Sequence, residues 1–190
     1  MATRTKKWTL SEVHSLPDDG NKYELIRGEL FVTPPPSEEH ETIAARLARM
    51  LDPYVAANNL GLVYRPRAVV RFKGSEAEPD LMVRQPKTGS GRDWDNAPIP
   101  SLLVEVLSGS TRRRDLGAKR EFYREVGIPD YWIVDPDRRE VRIVRMGRED
   151  EMATERLVWT PAGTAEPLVI IVPAIFGVPT VDVAAAMSDI

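Results

Sequence analysis

Leu102-Leu103-Val104-Glu105-Val106-Leu107 leads into the turn Ser108-Gly109-Ser110-Thr111. A helical stretch over residues 112–126 follows, then a second apolar run, Tyr131-Trp132-Ile133-Val134. Apolar runs of this length without alternation read as strands covered on both faces. Strand, helix and strand joined by short connections imply a right-handed crossover and a parallel strand pair. This unit decides the fold class: an α/β domain built on a sheet with helices packed on it.

Working outward, residues 11–16 predict a short helix stopped by Pro17 and Asp18-Asp19-Gly20. Residues 23–26 and 29–32 predict a β-hairpin turning at Arg27-Gly28 and ended by prolines 34 to 36. Ser37 is placed to cap a helix running to about Asn58, with Ile43, Leu47, Met50, Leu51 and Tyr54 on one face. Residues 62–72 read as a strand, 74–77 as a turn, and Asp80 to Val83 as the next strand, while 85–100 is loop-like. Downstream of Asp135-Pro136-Asp137, residues 140–145 should form a hairpin with the Trp132 strand, and further strands are expected near 155–160, 168–172 and 178–183. The expectation is one α/β domain over 1–190: a mixed, mostly antiparallel sheet flanked by helices, with extra carboxy-terminal strands and residues 1–8 as a solvated tail.

Composition narrows the chemistry. Of the 190 residues, 42% are hydrophobic and 29% charged, as in ordinary soluble globular chains. No apolar run approaches the roughly 18 residues that span a membrane, and the basic amino terminus lacks the apolar segment of a secretory signal. A cytoplasmic location fits the absence of cysteine, which also removes disulfides and thiolate chemistry. With two histidines in all, a His-rich zinc site is disfavoured, so any metal should be a hard cation on oxygen ligands. The net charge of -3 is no general attractor of nucleic acid, but Arg112-Arg113-Arg114 opens the helix after the Glu105 strand. A helix start with basic residues can hold phosphate; a solvated helix start is the plain alternative.

Glu105 is the anomaly. A carboxylate inside an apolar strand costs roughly several kcal/mol unless a cation, metal or donor group compensates it. Asp80, in Glu78-Pro79-Asp80, and Lys119 are the candidates. On a 3.6-residue period Leu116, Lys119, Tyr123 and Val126 share the stripe that should meet the sheet. Two readings of Lys119 stand open: its stem packs while the ammonium reaches water or Asp115, or it reaches Glu105. An acid at one strand start, an acid within the neighbouring strand and a lysine on the next helix can converge on one point. Two close carboxylates favour a divalent cation, which would polarise a phosphoryl oxygen and activate a water.

Those residues carry a resemblance. Pro79-Asp80, then Glu105-Val106-Leu107, is similar to the PD-(D/E)XK nuclease superfamily, with the departure that Leu107 stands at the usual lysine position. Some branches move that lysine to the following helix, where Lys119 lies. More specifically, Tyr23-Glu24-Leu25-Ile26-Arg27-Gly28-Glu29-Leu30, His40, Glu78-Pro79-Asp80-Leu81, Val104-Glu105-Val106-Leu107-Ser108 and Asp130-Tyr131-Trp132-Ile133-Val134-Asp135 resemble the Uma-type family of putative restriction endonucleases, formerly a domain of unknown function. Gly109 stands where relatives often have proline. The resemblance implies a restriction-endonuclease-like fold and Mg²⁺- or Mn²⁺-dependent DNA cleavage. Asp80 and Glu105 would be metal ligands and Lys119 the catalytic lysine, with Glu24 as a further carboxylate near the metal. Arg112, Arg113, Arg114 and His40 would contact nucleic acid, against the plainer reading of His40 as a structural hydrogen-bonder. A homodimer fits enzymes that cut both strands. The competing reading is a catalytically inactive nucleic-acid- or protein-binding module on the same fold.

Overall fold

A computed structural model of the chain describes residues 6–88, 94–109 and 112–177. Helix α1 (Leu10–His14) starts on a reciprocal cap, in which the Thr9 hydroxyl accepts from the Glu12 amide while the Glu12 carboxylate takes the Thr9 amide. Strands β1 (Lys22–Ile26) and β2 (Glu29–Thr33) form the expected hairpin. Arg27 and Gly28 both take positive φ, the conformation that matches a two-residue turn to the twist of its strands. Helix α2 (Glu38–Ala57) is capped by Ser37, carries three acids in its first turn, and buries Ile43, Leu47, Leu51 and Val55 along one stripe.

The stretch 62–72 is not one strand. It divides into β3 (Leu62–Tyr64) and β4 (Val70–Phe72), which belong to different sheets, with a turn closed by the Ala68 amide on the Arg65 carbonyl between them. The expected turn at 74–77 is instead strand β5 (Ser75–Ala77), and only Lys73-Gly74 turns. Strand β6 (Leu81–Arg84) and strand β7 (Leu102–Val106) follow. The helix predicted over 112–126 is broken at Gly117 into α3 (Arg112–Leu116) and α4 (Ala118–Val126). Strands β8 (Asp130–Asp135), β9 (Glu140–Arg145), β10 (Glu151–Ala153), β11 (Arg156–Trp159) and β12 (Leu168–Ile171) lead to α5 (Val172–Ile175). The strand expected at 178–183 lies outside the described residues.

Six strands form the main sheet in the order β10-β9-β8-β7-β6-β3, with β7 and β8 parallel and the other pairs antiparallel. Every residue of β7 and β8 is buried, as a central strand pair covered on both faces requires. One face packs Val83, Val104, Trp132 and Val134 against the α2 stripe, and the β11–β12 ribbon closes that core through Leu157, Trp159 and Ile170. The other face packs Met82, Leu103 and Ile133 against Phe122 and Tyr123 of α4, and against Ile26, Val70 and Ala77. Those last three residues come from a second sheet, β2-β1-β5-β4. Residues Glu78-Pro79-Asp80 carry the chain from the second sheet into the first. No described helix is long and apolar enough to cross a membrane.

Candidate active site

The side-chain period of β1 sends Lys22, Glu24 and Ile26 to one face, and Ile26 lies in the core beside α4. On β7 the same alternation puts Glu105 with Leu103 on that core's side, while Leu102, Val104 and Val106 face α2. Asp80 enters at the sheet-to-sheet crossing. Glu24, Asp80 and Glu105 are all at most 4% exposed.

Lys119 ties two of them, Glu24 and Glu105, together. Its Nζ lies 2.7 Å from Glu105 Oε1, 2.9 Å from Glu24 Oε1 and 3.6 Å from Asp115 Oδ1, and the residue has no exposed surface. The lysine thus meets Asp115 one helical turn earlier and Glu105 as well. Tyr123 donates its hydroxyl to the same Glu105 oxygen at 2.7 Å. Burial would lower the Lys119 pKa, but Glu105, Glu24 and Asp115 outweigh it and raise it well above the ordinary lysine value. Burial pushes the Glu105 carboxyl up to about 8; Lys119 pulls against the shift, and the Asp80 and Asp115 charges add to it. Glu24 moves the other way, because burial is overcome there by Lys119, Lys22 and Arg114. The Glu78 amide also donates to Glu24 Oε1 at 2.8 Å.

Asp80 Oδ2 accepts from the Val106 amide at 2.7 Å and faces His40 Nε2 at 3.1 Å, while Lys22 Nζ stands 3.5 Å from Oδ1. Burial alone would raise its pKa. The His40 hydrogen bond, Lys22, and the His40 and Lys119 charges reverse that and hold it below the usual carboxylate range. The exchange is reciprocal: burial would lower the His40 pKa, and the Asp80 bond raises it. A cavity of about 260 Å³ opens over this arrangement, lined by Lys22, His40, Asp80, Glu105, Arg114 and Asp115 and walled by prolines 34 to 36. Larger concavities of about 410 and 520 Å³ lie elsewhere and are lined by none of these carboxylates.

Of the basic run, Arg112 makes a two-pronged contact with Asp135 at 2.7 and 2.8 Å and reaches Asp137 at 3.0 Å. Arg114 is buried, bonding Thr33 Oγ1 at 2.7 Å and facing Glu24 Oε2 at 3.2 Å. The Arg113 side chain lies outside the described part. Lys22 carried no signal strong enough to single out in the sequence, and Asp115 entered that reading only as an alternative partner of Lys119. Lys22 is one strand period before Glu24, and Asp115 is one helical turn before Lys119.

Among the described residues no three acidic or imidazole groups converge tightly enough to hold a metal ion by themselves. The donor chemistry nonetheless fits a hard cation. Among the described residues, Glu24, Asp80, Glu105 and Asp115 face three permanent cations, Lys22, Arg114 and Lys119. Glu24 Oε2 is buried without a hydrogen bond, the Arg114 contact being an ion pair of poor hydrogen-bond geometry. Such a site would supply one or two carboxylates and leave the remaining positions to water or phosphate oxygens, as magnesium sites do.

A mixed sheet between helices, with paired acids at its centre and a lysine on the adjoining helix, defines a protein of nuclease-like fold. It is similar to the crystal structure of a putative nuclease belonging to DUF820 from Anabaena variabilis, with a TM-score of 0.72 and 21% identity over 88% of this chain and 97% of that one. No curated protein matches the chain. Residues 10–174 match the model of the Uma2 family, described as "Putative restriction endonuclease", and the chain belongs to that family.

Proposed function

We propose that the protein is a Mg²⁺- or Mn²⁺-dependent endonuclease that hydrolyses phosphodiester bonds in DNA. The observation that carries this reading is the presence of Asp80 and Glu105 on the wall of one cavity, at the seam between the two sheets, with the Lys119 ammonium bonded to Glu105 behind that wall. Asp80 and Glu105 would hold the cation, with Glu24 behind them. When bound, the cation would polarise the phosphoryl oxygen and favour ionisation of an attacking water. In the hydrolysis itself the water oxygen bonds to phosphorus, the bond from phosphorus to the leaving sugar oxygen breaks, and that oxygen takes up a proton.

The chain's own residues prepare this step. Lys119 and Tyr123 both hold Glu105 Oε1, fixing the direction of its carboxylate. The Val106 amide and His40 fix Asp80 in the same way. The low pKa of Asp80 keeps it ionised, and Lys119 remains charged at any working pH. Purified protein should nick or cut plasmid or single-stranded DNA with Mn²⁺, and divalent cations should raise its Tm. Asp80→Ala should abolish both effects. A wild-type protein that shows neither a metal-dependent Tm nor cleavage sinks the proposal.

A further inference from the structure

Building on that reading, we propose that Lys22, not Lys119, supplies the ammonium that touches the scissile phosphate. A buried lysine can neutralise a transition state only if an N–H reaches the reacting group. Lys119 has no exposed surface and does not line the cavity. Its three N–H donors face three carboxylates, at 2.7, 2.9 and 3.6 Å. It acts on chemistry through Glu105 and is a positioning residue.

Lys22 is arranged differently. It lies on the cavity wall with its side chain 18% exposed, reached by the same strand alternation that buries Glu24. Its Nζ donates to the Glu78 carbonyl at 3.0 Å and stands 3.5 Å from Asp80 Oδ1. Among the described residues no further acceptor bonds it, so an N–H is left for a ligand in the cavity. The Glu78 carbonyl anchors the ammonium beside Asp80, so a phosphate held at Asp80 lies within its reach. Of the other cations on this wall, Arg114 is already bound to Thr33 and Glu24, and Arg67, 60% exposed, faces Asp18 at 3.8 Å and has no ion pair with Asp80 or Glu105 among the described residues.

The test compares Lys22→Met, Lys22→Arg and Lys119→Met with wild type in two measurements. The first is affinity for a short duplex in fixed Ca²⁺ as a function of salt. A lost phosphate contact lowers the slope of log K against log salt by about 0.9. Lys22→Met should show that drop, Lys22→Arg should not, and Lys119→Met should keep the wild-type slope. The second is Mn²⁺-dependent nicking, in which Lys22→Met should lose about 10²-fold in kcat and Lys22→Arg should recover part of it. A Lys22→Met protein with the wild-type slope and kcat overturns the inference, even if its Tm falls, because a purely structural lysine behaves in that way. Wild-type protein that neither cleaves nor responds to metal removes the nuclease reading itself, and this inference with it.

Discussion

Replacing Lys119 by methionine tests the central claim about how the site is built. The substitution keeps most of the side-chain volume and removes the ammonium; Glu24 and Asp115 keep Arg114 beside them, while Glu105, 2% exposed, is left with no ion-pair partner among the described residues. Removing one partner of a buried ion pair costs about 3–5 kcal/mol, because the remaining charge has neither water nor a counter-ion. Two of the three contacts are shorter than 3 Å, so the upper part of that range applies. For a domain of this size each kcal/mol moves Tm by about 2–4 °C, and the fall should be about 8–20 °C at pH 9, where Glu105 is ionised, without divalent cations. Adding Glu105→Gln to Lys119→Met should restore part of the loss, since the second change removes one stranded charge. Thermal denaturation of wild type, both single variants and the double variant closes the cycle. A Lys119→Met loss below about 1 kcal/mol, the worth of an exposed ion pair, would show that the ammonium is not the internal counter-ion described above.

Two more outcomes are accessible to the same measurement. Glu105 keeps its proton to about pH 8 in the folded chain, whereas an unfolded glutamate releases it near 4.5. Folding stability from this group is therefore full below pH 4.5 and falls until pH 8, by about 1.4 kcal/mol per unit of pKa difference. In chelator, wild-type Tm should drop relative to Glu105→Gln across that window; parallel curves would contradict the assignment. Asp80, with a depressed pKa, acts oppositely and withdraws its stability only as the pH falls below the ordinary carboxylate range. Gly61 has φ +104°, and a Cβ there would sit 2.1 Å from the Arg84 carbonyl oxygen. Gly61→Ala should cost at least about 2 kcal/mol; a variant within 0.5 kcal/mol of wild type, roughly the surface-substitution range, would contradict that close approach.

The sequence exposed the parts of the fold that repeat a period. The β7–helix–β8 unit, the β1–β2 hairpin and the α2 stripe all appear as expected, because burial imposes those periods on the residues themselves. Glu105 and Lys119 were visible for the same reason, each a charge where the period demands an apolar side chain. The split of residues 62–72 was hidden, since two short strands in different sheets look like one strand until pairing is known. Gly117 broke a helix whose apolar stripe continued across it. Lys22 looked like any lysine at a strand start, and its exposure depends on where residues 33–40 and 78–80 come to rest. Whether Arg112 and Arg114 meet solvent or carboxylates was equally undecidable, because Asp135 and Glu24 approach them from other elements.

The Lys119 ammonium joins a glutamate of the four-stranded sheet to one of the six-stranded sheet. It is therefore a rivet between the sheets, and selection for a folded chain is enough to preserve it. If the proposed DNA cleavage were lost in a descendant, Lys119 and Glu105 would stay as a matched pair while Lys22, freed of its proposed duty, drifted. Survival of the buried lysine is then a record of folding, and under the proposed mechanism the residue at the cavity wall is the one that would report on chemistry.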